Sequence, residues 1–123
     1  MKLMETRVKW KEHRGIKFLL CDFSELRWKE DLVELTQIAL DILENADEQI
    51  YIIIDLTNTY LPLSYFKWIL IHAKNSDKFI KKQAITGVRG KKKIMIENFV
   101  ERLSNKTRTM VDQKACVDWF VQA

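Results

Sequence analysis

The pattern of this sequence predicts an α/β fold with a five-stranded, mostly parallel sheet, an N-terminal antiparallel hairpin and four helices. Three observations carry that prediction. Residues Ile50 to Ile54 form an uninterrupted β-branched and aromatic run, too short for a typical helix and bounded by polar residues, as expected of a strand buried on both faces. Stretches with apolar residues spaced by three and four alternate with further strand-like runs, which implies parallel pairing through right-handed crossovers. Three glycines and one proline in 123 residues leave little room for long flexible linkers, so ordered structure is expected nearly end to end, in one domain spanning residues 1–123.

The elements follow in order. From Thr6 to Lys11, Val8 and Trp10 alternate with basic residues; a His13-Arg14-Gly15 turn leads into Ile16 to Phe23. This reads as a hairpin whose glycine supplies a positive φ, with Val8 to Lys11 at the edge. Between Ser24 and Asn45, Trp28, Leu32, Leu35, Ala39 and Ile42 recur on one face, an amphipathic helix with Trp28 in its packed stripe. The central strand ends at Asp55 and a polar turn, Thr57-Asn58-Thr59, follows. A second helix then runs from Leu63 or Ser64 to Lys74, burying Phe66, Ile69, Leu70 and Ala73. Its start is open: Pro62 suits a first helical position, and Ser64 is a good N-cap.

Gln83 to Val88 reads as the next strand, Gly90 as a break, and Lys91 to Ser104 as a helix with Met95, Ile96, Phe99, Val100 and Leu103 inward. Arg108 to Val111 closes the sheet. Asp112 caps a last helix in which Ala115, Cys116, Trp119 and Phe120 form the buried stripe.

Composition excludes several classes. With 47% hydrophobic and 31% charged residues the chain is globular. Its apolar runs are broken by Asp55 or Pro62 well short of a membrane span, and the N-terminus has no signal-type apolar core, so a cytoplasmic location without membrane insertion is expected. Cys21 and Cys116 lie far apart among apolar residues and read as reduced, buried thiols. No His/Cys/acid cluster has metal spacing, and no cofactor is expected.

Charge is segregated. Asp22 to Asp55 holds ten acidic residues against two basic, whereas Lys78 to Ile96 holds seven basic residues and no acid. The aromatics are not interleaved with that basic run, and Trp28, Trp68 and Trp119 fall on helices that must pack against the sheet, so nucleic-acid binding is not expected.

The turn after the central strand lies at the carboxyl edge of the sheet, where open α/β folds build their sites. Asp55 is a candidate carboxylate there, its alternative reading being a side chain bonded to turn amides. A second candidate is an anion site at Gly87, Arg89, Gly90, Lys91 and Lys92. Three lysines at a helix start oppose the dipole unless an anion compensates, and Arg89 and Lys92 would close around it. The spacing is not that of a Walker A loop, and the alternative is a glycine-punctuated turn with solvated lysines.

The order of elements, the motif Ile54-Asp55-Leu56-Thr57-Asn58, the serine nine positions after that aspartate, and the ending Val111-Asp112-Gln-Lys-Ala115-Cys-Val-Asp-Trp119 resemble the STAS superfamily. The likeness is to its SpoIIAA-like branch of small bacterial proteins related to the sporulation anti-sigma-factor antagonist, which shares its architecture with CRAL-TRIO lipid-transfer domains. The resemblance covers nearly the whole chain. It implies a non-enzymatic regulatory module with a protein partner, and it places Ser64 where antagonists carry the serine phosphorylated by a partner kinase. The surroundings depart from the family turn: Leu63 replaces its aspartate, Tyr65 its second serine and Phe66 its glycine.

The expected partner-binding or phosphoacceptor residues are therefore Asp55, Thr57, Asn58, Ser64 and Tyr65. Tyr60, Leu61, Leu63 and Tyr65 are expected to form an exposed apolar patch suited to self-association or to another chain. The kinship with lipid-transfer domains and the basic helix start imply an alternative, a carrier or sensor of a small anionic or lipid-like ligand. A third class, an enzyme using Asp55 and Ser64, lacks a recognisable general base beside the serine.

Overall fold

Val8 lies opposite Cys21 and His13 opposite Ile16, so β1 (Val8–His13) and β2 (Ile16–Asp22) form an antiparallel hairpin in the computed structural model, which describes residues 4–122. Arg14 and Gly15 both have positive φ, 51° and 80°. Two such residues in succession make the mirror-image turn whose twist matches the flanking strands.

β2 pairs in parallel with β3 (Ile50–Asp55), β3 with β4 (Ile80–Thr86), and β4 with β5 (Thr107–Thr109), giving the strand order β1-β2-β3-β4-β5. The helices are α1 (Lys29–Glu44), α2 (Leu63–His72), α3 (Gly90–Leu103) and α4 (Gln113–Phe120). A 3₁₀ strap, Lys74–Phe79, joins α2 to β4.

The central strand is buried on both faces. Ile50 and Ile52 belong to the larger core, with Leu19, Cys21 and Ile85 of the sheet and Leu32, Leu35, Phe66 and Ile96 of α1, α2 and α3. Ile53 belongs to the smaller core on the opposite face, with Phe18, Ala84 and Cys116, Val117 and Phe120 of α4. There Tyr51 stacks on Phe120 at 4.6 Å between centroids and donates its hydroxyl to the Phe120 carbonyl. Each large aliphatic side chain removed from water in these layers contributes about 1.5–3 kcal/mol.

Several expectations are corrected. The first helix begins at Lys29 rather than Ser24, and Trp28 is its N-cap with no side-chain capping bond; the indole is 69% exposed instead of packed in the stripe. Ser24 is unavailable as a helix start because its amide and hydroxyl both bond to Asp22. In α2, Pro62 stands in the N-cap position with extended backbone and the helix ends at His72; Leu70 faces solvent, as does Met95 of α3.

β4 begins at Ile80, three residues earlier than the sequence suggested, despite Lys81 and Lys82. Lys82 is accommodated because its ammonium donates to the Trp119 and Gln122 carbonyls at the end of α4, 2.7 and 2.9 Å away. β5 is correspondingly short, and Val111 is exposed beyond it. Asp112 is the predicted cap of α4, its carboxylate accepting from the Ala115 amide at 2.9 Å.

Candidate functional site at the carboxyl edge of the sheet

Asp22 pairs in register with Asp55, and Asp55 with Thr86, so three parallel strands end at one level. Two of them end in the same local structure. Asp55 Oδ1 accepts from the Thr57 amide at 2.9 Å and the Thr57 hydroxyl at 2.6 Å. Asp22 Oδ1 accepts from the Ser24 amide at 2.9 Å and the Ser24 hydroxyl at 2.5 Å. An aspartate that folds back on its own backbone two residues on is the natural terminator of such a strand.

The two turns then run side by side beyond the sheet. Phe23 N donates to Asp55 O and Glu25 N to Thr57 O, each at 3.0 Å, while Leu56 N donates to Thr86 O at 2.9 Å. Buried Thr59 ties the second turn to the first through its hydroxyl, which donates to Phe23 O at 2.8 Å. At the tip, Glu25 and Asn58 are both left-handed, with φ of 66° and 52°, and Asn58 Nδ2 donates to Glu25 Oε1 at 3.0 Å. The first turn is anchored from behind by Arg7, whose NH1 group donates to Asp22 O at 2.8 Å and Ser24 O at 2.9 Å.

Two residues of the expected anion site, Gly87 and Lys92, meet this turn. Gly87, with φ of 84°, packs against Asp55 and Thr57 and leaves no room for a side chain. Lys92 does not close around the start of α3. Its ammonium donates to the carbonyls of Thr59 and, at 3.4 Å, Leu56. Burial lowers its pKa, and the nearby Arg27 guanidinium lowers it further. Arg89 is the N-cap of α3 without a side-chain cap, and Arg89, Gly90 and Lys91 are exposed.

Ser64 is exposed in the first turn of α2. Tyr65 is a correction: it is buried, because a helix starting at Leu63 turns positions 65, 66 and 69 toward the sheet. Its hydroxyl lies 2.7 Å from Thr36 Oγ1, and burial pushes its pKa up. The exposed patch is thus built differently from the expected one. Tyr60 and Leu63 remain, at 57% and 70% exposure, Leu61 is half-buried, and Trp28 replaces Tyr65 as the third large residue on this edge. The Tyr60 amide donates to Leu26 O at 2.9 Å, which places it two residues from Trp28 along the neighbouring segment.

The partnership of Asp22, Ser24 and Glu25 with the Asp55 turn was not foreseen from the sequence. A signal existed in the repeat of one pattern, Cys21-Asp22-Phe23-Ser24 and Ile54-Asp55-Leu56-Thr57, at the ends of two strands.

No protein-family model matches the chain, and no curated protein matches it in sequence. Among solved structures it is similar to an uncharacterised protein of the DUF3478 family from Shewanella loihica PV-4, described as having a SpoIIAA-like fold. The two share 18% identity over 92% of this chain and 91% of that one, with a TM-score of 0.71. The fold of the present chain is therefore SpoIIAA-like, an α/β sheet of five strands, four of them parallel. Among the described residues no helix is long and apolar enough to cross a membrane.

Proposed function

We propose that this chain is a non-enzymatic regulatory module of STAS type that docks a protein partner at the carboxyl edge of its sheet. The observation that carries the reading is the exposure of Tyr60 and Leu63 on either side of Pro62, at the end of a turn held rigidly by Asp55, Thr57 and Thr59. Large apolar side chains on a pre-formed edge are the usual anchors of an interface. Arg27, Arg89 and Lys91 are exposed on the elements around them, so the complementary partner surface carries an acidic rim.

Ser64 fits the role of a regulatory phosphoacceptor. Its hydroxyl is exposed, and a phosphate there would sit at the positive end of α2, within reach of exposed Lys67 one turn on. Asp55 serves this reading as a structural residue, since one carboxylate oxygen is committed to the Thr57 turn.

Photo-crosslinking tests the proposal. A benzophenone amino acid at Tyr60 or Leu63 is expected to give a discrete protein adduct in the native host, abolished by excess unmodified protein but not by unmodified Leu63→Asp, while the same probe at Lys11 on β1 gives none. Light scattering of the purified protein then distinguishes a second copy from a different partner. Adducts no more discrete at positions 60 and 63 than at Lys11 would remove this edge as the docking surface.

A further inference from the structure

α4 roofs the smaller core, and where that helix ends, near the first residues of β4, the surface sinks into a depression of about 370 Å³. Four cations line it, Lys81, Lys82, Lys106 and Arg108, and no acid does. The sheet directs them there. Lys82 precedes Ala84 by two residues and Arg108 is the register partner of Ala84, so both emerge on the α4 face. Strand alternation would send Lys81 to the opposite face. A register shift between Ile50 and Tyr51 prevents this: Ile80 pairs with Ile50 and Lys82 with Tyr51, and the ammonium of the intervening Lys81 stands over the Tyr51 ring, 5.2 Å from its centroid. A bulge that re-aims one side chain is a common device beside a site.

Carbonyl dipoles and ring faces, more than carboxylates, hold these cations in place. Besides its bonds to the Trp119 and Gln122 carbonyls, Lys82 Nζ lies 5.2 Å from the Trp119 ring centroid, which the Arg108 guanidinium approaches to 5.4 Å. Lys106 Nζ donates to the Asp77 and Ile80 carbonyls at 2.9 and 3.0 Å. Its 3.7 Å pair with Asp77 is the one ion pair that any of the four makes among the described residues. Asp118 of α4 is already engaged by Arg14 and Lys114, and Asp47 and Glu48, which precede β3, pair with none of the four. Carbonyls and rings position a cation without cancelling its repulsion of the next one. The depression therefore carries an excess of positive charge that the described residues leave uncompensated.

We propose that this depression binds a compact polyphosphate group, a chain of linked phosphoryl units held between Lys81, Lys106 and Arg108. A single negative charge would leave most of the repulsion in place, whereas linked phosphoryl groups supply several charges within the width of the site. Arg108 offers the planar fork that grips a phosphate through two oxygens, and the lysines act as point charges. The side-chain amides of Asn105 and Gln122 line the same depression and supply neutral donors. Trp119 is only 7% exposed, so its face is not open to a stacking base and recognition rests on the phosphates. The site shares no residue with the carboxyl-edge docking surface and lies at the opposite end of β4 from Arg89 and Lys91.

The test is a titration of the full chain with inorganic tripolyphosphate at fixed ionic strength, following thermal unfolding, the Trp119 indole N–H resonance and the amides of Lys81, Lys106 and Arg108. A ligand that binds only the folded state raises its stability in a saturable manner. Tripolyphosphate is expected to do so and to shift these signals, with orthophosphate binding about tenfold more weakly because it forfeits a charge-assisted contact. Lys81→Gln combined with Arg108→Gln, both at exposed positions, is expected to weaken tripolyphosphate binding by about tenfold or more. Arg89→Gln combined with Lys91→Gln removes the same charge at the start of α3 and is expected to change it by less than about twofold, since solvent and salt screen charges so far from the site. Adenosine triphosphate is expected to match tripolyphosphate; markedly tighter binding would assign the phosphates to a nucleotide rather than to a free polyphosphate. The proposal is overturned by the absence of a saturable response to both ligands, by wild-type shifts confined to Gly87 through Lys93, or by equal losses in the two double variants, which would reduce the effect to net charge.

Discussion

Gly87 is packed against Thr57: a Cβ on the glycine would stand 2.5 Å from the Thr57 amide nitrogen, closer still to its Oγ1, and 2.9 Å from Asp55 Oδ1. The end of β4 therefore buttresses the turn that ends β3, and only a residue without a side chain fits. Gly87→Ala combines left-handed strain of about 1–2 kcal/mol with overpacking of about 1–3 kcal/mol. Gly15 supplies the control, since its φ of 80° is similar and nothing lies within 4 Å of its missing Cβ. Urea denaturation is expected to show Gly15→Ala losing only the strain and Gly87→Ala losing distinctly more. Equal losses would mean that the approach to Thr57 is not what demands glycine there.

Arg7 anchors the companion turn from the interior. It is only 5% exposed, it donates to the Asp22 and Ser24 carbonyls, and its Nε is buried without a partner among the described residues. Removing a charged donor from two carbonyls costs about 1.5–3 kcal/mol, so Arg7→Ala is expected to lower the unfolding free energy by about that amount. Arg7→Lys should recover only part of the loss, because an ammonium lacks the planar fork. Full recovery by lysine in equilibrium denaturation would show that charge, not geometry, is what the site uses.

Much of the fold was legible because its signals are local. The Ile50–Ile54 run identifies a doubly buried strand from residue type alone, and the spacing of Leu32, Leu35, Ile96 and Phe120 identifies the faces of three helices. What was not legible depends on contacts between distant segments. Trp28 sits in phase with the stripe of α1, yet it is exposed because Asp22 captures Ser24 and the helix starts later. Tyr65 could be placed only once Pro62 was known to precede the helix, which turns it inward to Thr36. Lys92 looked like a ligand-binding cation in the run Arg89 to Lys93, and its commitment to the Thr59 carbonyl is a tertiary fact. A cavity of about 150 Å³ between the sheet and α1, α2 and α3 arises from incomplete filling by residues remote in sequence, and no residue pattern announces it.

Both cysteines are free and buried. Burial pushes each thiol up to about 12, with the Asp112 carboxylate adding to the effect at Cys116. An acid whose folded value is raised favours the folded state while it remains protonated. That contribution is complete below the unfolded thiol value, about 8.5, and is lost as pH rises toward the folded one. Stability is expected to decline between these limits, and replacing both residues by Val to flatten the decline relative to wild type. Thiol labelling near pH 8 should proceed only through unfolding, at a rate set by urea. Rapid labelling of the native protein would refute the protected state of both groups.

The last prediction concerns Arg14, which holds a left-handed conformation with φ of 51° in the β1–β2 turn and bonds through its guanidinium to Asp118 of α4. That bond is the main reason the Asp118 carboxyl lies below the usual carboxylate range, with Lys114 contributing at 3.5 Å. Left-handed backbone strains an arginine by about 1–2 kcal/mol, whereas Asn-Gly is the favoured pair for this turn. The ion pair is exposed on both sides, so solvent and salt screen most of it. Arg14→Asn is therefore expected to be neutral or stabilising at pH 7. The depressed carboxyl gives wild type a contribution that is present above the unfolded aspartate value, about 3.9, and lost as pH falls through the lower folded one. Arg14→Asn lacks most of that contribution, so its advantage should grow as denaturation is measured from pH 5 down to pH 2.5. In an Asp118→Asn background the same substitution should show an advantage independent of pH. A variant less stable than wild type by the same margin at pH 7 and pH 2.5 would mean that Arg14 supports the hairpin by some contact other than Asp118.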